Sequence, residues 1–137
     1  MHVSFAQLFH YPPNKDWRTV DVDSPDLVRV ENLIRKLDVN EFPYLWLLHT
    51  KIDDDVPEDF MAITGGRDEY RITHYLDGNE FNYTDPSRPM EDWIEICPAR
   101  IMGTQPLRYL CSDVKLVIEI ATRFATDGQR LPGLNWK

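Results

Sequence analysis

Residues 114–136 read VKLVIEIATRFATDGQRLPGLNW, and their spacing decides where the chain's last element lies. Val114, Val117, Ile118, Ala121 and Phe124 recur at helical intervals, which puts one apolar stripe on an amphipathic helix. Ser112 stands where a hydroxyl can cap the helix's open N–H groups. Gly128 follows the last turn, where a left-handed residue ends a helix at little cost. Beyond it come Leu131, Pro132, Leu134 and a near-terminal Trp136. A ring of that size close to a chain end is predicted to dock back onto the body rather than fray.

A helix with one apolar stripe needs a surface to cover, and the upstream chain supplies strands. Val3–Phe9 reads as a first strand, Tyr11-Pro12-Pro13-Asn14 as a turn, and Val20 and Val22 as a brief extended piece. Ser24-Pro25 predicts a helix start, with a capping hydroxyl and a proline at the first helical position. Leu27, Val30, Leu33, Ile34 and Leu37 then share a face, and the helix should stop near Asp38. Tyr44–His49 is a nearly continuous apolar run, too short for a typical helix, and predicts a central strand buried on both faces. Phe60, Ala62 and Ile63 begin a strand ending at Gly65-Gly66, a glycine pair read as a turn. Residues 70–75 alternate with a strand period. Asp77-Gly78 is a two-residue hairpin signal, with Phe81 and Tyr83 beyond it on one face. Asp85–Pro89 is a rigid loop, Trp93–Cys97 a further strand, and Tyr109–Cys111 a short edge strand. Strands framed by two helices predict an α+β fold: one domain over residues 1–137, a mostly antiparallel sheet with two main helices packed on it. Trp46 and Trp136 are expected in its core.

The C-terminal run A-T-R-F-A-T-D-G-Q-R-L-P-G-L-N-W resembles the signature of the Imm1 family of bacterial immunity proteins: a helix ending in Phe, a Thr-x-Gly turn, a Pro and a final Trp. The upstream order is similar too, with a Trp-bearing strand (Tyr44–Leu48), a glycine pair (Gly65, Gly66) and a strand ending in Tyr (Arg71–Tyr75). The resemblance runs from about Asp26 onward. The acidic run Asp53–Asp55 matches no part of the family pattern. The resemblance implies an inhibitor and not an enzyme, a protein that binds and neutralises a toxin made by its own cell or its siblings.

Charge narrows the partner. The chain carries 15 Lys and Arg against 23 Asp and Glu, a formal net charge of −8. That balance disfavours direct nucleic-acid binding, which needs a basic surface. The excess is segregated: Lys51 to Glu95 holds thirteen acids and four bases, and the remainder of the chain is close to neutral. Toxins that act on nucleic acid, nucleases and deaminases, carry basic substrate grooves, and carboxylates can stand there in place of phosphates. The candidate toxin contacts are therefore Asp53, Asp54, Asp55, Glu58, Asp59, Asp68, Glu69, Glu91, Asp92 and Glu95. Tyr75 and Trp93 are the aromatic anchors among them.

Other chemistries find little support. The four histidines have no GxSxG elbow or other nucleophile motif beside them, and His49 and His74 read as strand residues satisfied locally. No His/Cys pair has zinc spacing, and the Asp53 run lacks the glycine and glutamate of a calcium loop. No cofactor is implied. Cys97 and Cys111 read as small buried hydrophobes. No apolar run is long enough to span a bilayer, and Met1–His10 has no basic n-region or cleavage site, so a cytoplasmic location is expected. Two alternatives stay open: an acidic adaptor module without toxin specificity, and a small enzyme using a carboxylate pair from Glu91, Asp92 and Glu95.

Overall fold

The period-two segments pair into one large antiparallel sheet in a computed structural model that describes residues 1–51, 57–97 and 103–137, the side chains of 94–97 and 103 excepted. The strands are β1 (Phe5–His10), β2 (Arg18–Asp23), β3 (Tyr44–Leu48), β4 (Asp59–Gly66), β5 (Glu69–Leu76) and β6 (Asn79–Thr84). Beyond them come β7 (Trp93–Cys97), β8 (Gly103–Pro106), β9 (Leu110–Cys111) and β10 (Asn135–Trp136). The helices are α1 (Leu27–Arg35) and α2 (Val114–Asp127). The sheet order is β10-β6-β5-β4-β3-β1-β2, and β9 pairs with β5. The fold is α+β, as the patterning predicts.

Both helices lie on one face of this sheet. Val30, Leu33 and Ile34 of α1 join Val117, Ile120, Ala121, Phe124 and Ala125 of α2 in a single buried cluster. The strands contribute alternate residues to it: Ala6 and Leu8, Leu45 and Leu47, Met61 and Ile63, then Ile72. Register sets these side by side, because Leu8 opposes Leu45, Leu45 opposes Ile63, and Ile63 opposes Ile72. Ile118, expected on the α2 stripe, is only half-buried, while Ile120 is fully buried.

Several local expectations are corrected. The helix caps are aspartates, not the neighbouring serines: Asp26 accepts from the Arg29 N–H at 2.7 Å, and Asp113 accepts from the Lys115 N–H at 3.0 Å. A carboxylate gains more than a hydroxyl from the positive end of a helix. Pro25 therefore lies outside α1. Gly128 does end α2, with φ 76 and its N–H bonded to the Phe124 carbonyl. Gly65 and Gly66 are not the turn but the end of β4, and the turn is Arg67-Asp68, with φ 51 and 64. Gly66 has φ +131, and a Cβ there would sit 2.8 Å from the Leu37 carbonyl oxygen, so the glycine lets β4 pass under the end of α1. Asp77-Gly78 forms the hairpin turn with positive φ at both residues, as the dipeptide predicts. β7 does not join the main sheet: it pairs with β8 in a separate ribbon.

Trp136 does dock back. It sits half-buried against the core, opposite Tyr83 in the β10–β6 pairing, with ring centroids 6.3 Å apart. Trp46, expected in the core, is half-buried on the other side of the sheet. β3 is central but faces the helices with Leu45 and Leu47 only. Cys111 is a buried free thiol, and burial pushes its pKa above the ordinary value.

Candidate functional site

The sheet face turned away from the helices is built by the other half of each alternation. Register lays its residues in rows across the strands. One row runs Asp23, Phe5, Leu48, Phe60, Tyr75, Glu80. The next runs Asp21, Gln7, Trp46, Ala62, Thr73, Asn82. The third runs Thr19, Phe9, Tyr44, Thr64, Arg71. Aromatics occupy the flanks, and Ala62, Thr64 and Thr73 hold the centre. Small residues surrounded by large ones leave a groove of about 470 Å³, walled by Phe9, Tyr11, Tyr44, Trp46, Phe60 and Tyr75.

The rings are ordered by contact with one another. Phe60 and Tyr75 stack with centroids 4.6 Å apart, Trp46 lies 5.0 Å from Phe60, and Phe9 meets Trp46 edge-on at 5.0 Å. Trp17, 58% exposed, extends the wall beside Phe9 and Tyr11. The polar end of the groove is Arg71. Its guanidinium donates to Gln105 and, at 3.2 Å, to Asn82, and lies 3.8 Å from Glu80. Burial first, and the Glu80 carboxylate second, hold the Tyr75 phenol above its ordinary pKa of 10.0. That ring is uncharged at neutral pH. A second hollow adjoins the first, sharing Phe60 and Tyr75 and flanked by Glu58 and Asp77.

Among the described residues the predicted carboxylates do not assemble as one patch. β4 and β5 pair over eight positions, from Asp59 opposite Leu76 to Gly66 opposite Glu69. At about 3.3 Å per residue this separates Glu58 and Asp59 from Asp68 and Glu69 by roughly 23 Å. Glu58 is exposed beside the groove's second hollow, and Tyr75 lies in its wall. Asp68 is exposed on the far turn. Glu69 is committed to Arg88, which donates to both carboxylate oxygens at 3.0 and 2.9 Å. Glu91, Asp92 and Trp93 are exposed ahead of and at the start of the β7–β8 ribbon. Glu95 is in β7, opposite Thr104. Asp53, Asp54 and Asp55 lie outside the described residues.

Asp59 belongs to a different grouping. One carboxylate oxygen is 2.7 Å from His2 Nε2 and the other 2.7 Å from His74 Nε2. Arg130 Nη1 lies 3.1 Å from His74 Nδ1. Arginine can only donate, so His74 is neutral with its proton on Nε2, aimed at Asp59. His49 Nδ1 bonds to the His2 carbonyl, and the two rings stack 4.1 Å apart. Desolvation lowers the His74 pKa, against the opposing pull of Asp59. This chain of groups ties the N-terminus, β4, β5 and the C-terminal segment together. With a proton on Nε2 and Arg130 against Nδ1, His74 has no lone pair left for a metal or a substrate. Among the described residues no group of His, Cys, Asp or Glu is placed to hold a metal ion.

A hypothetical protein from Neisseria gonorrhoeae shares the fold. Its crystal structure superposes with a TM-score of 0.60 at 14% sequence identity, over 93% of this chain and 89% of that one. No family model matches the chain. No curated protein matches it either. The likeness is one of architecture: a similar sheet and helices are specified by a largely different sequence.

Sequence reasoning missed the groove residues Phe9, Tyr44, Trp46, Phe60, Arg71 and Glu80. Their signal was present as period-two alternation: Tyr44, Trp46 and Leu48 on β3, Phe60, Ala62 and Thr64 on β4, Arg71, Thr73 and Tyr75 on β5. The apolar continuity of 44–48 hid it, because a buried face and an aromatic half-open face look the same in one strand.

Proposed function

We propose that this protein is an immunity protein of the Imm1 type, which binds a toxin domain in the cytoplasm and blocks it without chemistry of its own. The observation that carries the reading is the face opposite the helices. A sheet whose helices lie on one side, with aromatics around a groove on the other, is a surface suited to a protein partner. Carboxylates rim it: Asp21 and Asp23 at the β2 edge, Glu58 and Asp77 at the hairpin end, Glu80 on β6. Such a rim complements the basic groove of a toxin that handles nucleic acid, a nuclease or a deaminase. Steering by the rim raises the encounter rate, and desolvation of the rings holds the complex. The interface this reading uses is the aromatic groove with its acidic rim, in place of a continuous acidic patch.

The test is growth rescue. The C-terminal domain encoded by the neighbouring upstream gene is expressed in a bacterium with and without the protein, and the pair is then copurified. Restored growth together with a stable complex supports the reading, and Trp46→Ala should weaken that complex. A harmless neighbour, or toxicity that the protein leaves unrelieved, overturns it and leaves an adaptor module in its place.

A further inference from the structure

We infer that the outer edge of β2 receives an extended strand of the protein partner, one with Lys or Arg on the groove side and apolar residues on the helix side. The inference rests on reading the protein as a binder of a toxin domain, and it deepens that reading by naming how the partner docks and the chemistry of the segment that does so. β2 ends the sheet, and among the described residues it pairs with β1 alone. The Ser24 N–H, one residue past β2, donates to the Ser4 carbonyl at 2.8 Å. Backbone groups alternate in direction along an antiparallel strand. Those of Val20 and Val22 therefore turn inward to β1, and the N–H and C=O groups of Thr19, Asp21 and Asp23 turn outward. Such a row is a template for one more strand. It runs for six residues without proline or lysine, and its register with β1 is unbroken. The opposite end of the sheet is closed by the two-residue β10.

The side chains of the edge select the occupant. On the groove side Asp21 and Asp23 are exposed, and among the described residues no cation pairs with either. Arg18, the base of β2 itself, is turned to His10, with its Nε 3.3 Å from the imidazole Nδ1. Opposite charges on neighbouring strands stabilise a pairing, and like charges oppose it. A second copy of β2 would bring four carboxylates to one seam, whereas a strand with bases at alternate positions meets the two acids. On the helix side Val20 and Val22 are half-buried against the core. Leu27 and Val28, exposed at the start of α1, lie on that same side of the sheet. A strand that alternates basic and apolar residues matches both sides at once, because successive side chains point to opposite faces.

The test begins without a toxin. A backbone-cyclised hairpin peptide whose free strand reads Lys-Val-Lys-Val is titrated into the whole protein at low salt, beside a Glu-Val-Glu-Val control, and backbone amide resonances are followed by NMR. Saturable shifts centred on Thr19, Asp21 and Asp23 are expected, with the Lys hairpin favoured by about fivefold or more. Asp21→Pro removes an outward N–H while leaving the β1 ladder intact, and should weaken binding. The double variant Asp21→Lys/Asp23→Lys should reverse the preference toward the Glu hairpin at the same amides, which a misfolded chain would not do. Equal response to both hairpins, shifts confined to the aromatic groove, or no saturable shift would overturn the inference. Concentration-dependent shifts of these amides without peptide would also overturn it and give the edge to a second copy. Equal growth rescue and equal complex affinity for wild type and Asp21→Pro would remove the edge and keep the toxin. Failed rescue with the hairpin preference intact would remove the toxin and keep the edge.

Discussion

Replacing Asp59 with alanine separates two roles that the sequence and the tertiary structure assign to the same residue. By sequence it is one of a run of toxin-contacting acids. In the fold its two oxygens each receive an imidazole N–H at 2.7 Å, and its side chain is 17% exposed. Truncation leaves two donors without a partner. His74 is 2% exposed in its side chain, so water cannot replace the lost acceptor, and that orphaned N–H alone costs about 1–3 kcal/mol. His2 is 18% exposed and can recover part of its loss from solvent. The sum is about 2–4 kcal/mol, which at this chain length lowers Tm by roughly 6–20 °C. Asp59→Asn keeps one acceptor and should recover about half of the loss. The assay is thermal and urea unfolding of wild type, both Asp59 variants, His2→Ala and the His2→Ala/Asp59→Ala double variant. In the double variant the cost should be less than additive, because both changes break the same contact. An Asp59→Ala protein within about 0.5 kcal/mol of wild type would refute the reasoning. Lost partner binding at unchanged stability would return Asp59 to the interface.

Three further outcomes follow from the packing. His74 has a folded-state pKa below its ordinary 6.5, so the unfolded chain takes up the proton first. Stability is fully present above that value and declines as pH falls below it, by at most about 1.4 kcal/mol per pH unit, until the folded-state pKa is passed. His74→Gln should flatten that part of the urea-stability profile. Trp136→Ala removes a half-buried ring packed at the β10–β6 pairing and should cost about 2 kcal/mol, less than a fully buried aromatic. An unchanged Tm would mean that the C-terminal strand contributes nothing to the core. Gly66→Ala places a Cβ 2.8 Å from the Leu37 carbonyl oxygen at φ +131 and should destabilise by about 2–3 kcal/mol in urea. Gly78→Ala, also at positive φ but with nothing within 4 Å, should cost about 1 kcal/mol. Equal costs would remove the steric part of the argument.

The acids of the central third are many, but pairing places Glu58 and Asp59 at the opposite end of the β4–β5 hairpin from Asp68 and Glu69, and some of them are held by internal partners. Asp59 goes to histidines and Glu69 to Arg88. Asp21 and Asp23, outside that run, reach the rim of the open face because β2 pairs alongside β1. Sequence proximity says little about shared surface in a sheet, since a two-residue turn reverses direction and each step along a strand changes face.

What the sequence determined by itself is local. The apolar stripe of α2, its glycine stop, the Asp77-Gly78 hairpin and the alternation of β5 each depend on side-chain spacing and turn chemistry within a few residues. Those same features imply an α+β fold. The tertiary structure decided which side of the sheet the helices cover, and so turned Trp46 from an expected core residue into part of the wall of a groove. It also joined His2 to Asp59 and His74 to Arg130, pairs separated by 57 and 56 residues. The reason is physical. Periodicity gives each element a face, but only the register between distant strands and the docking of both chain ends determine what that face meets.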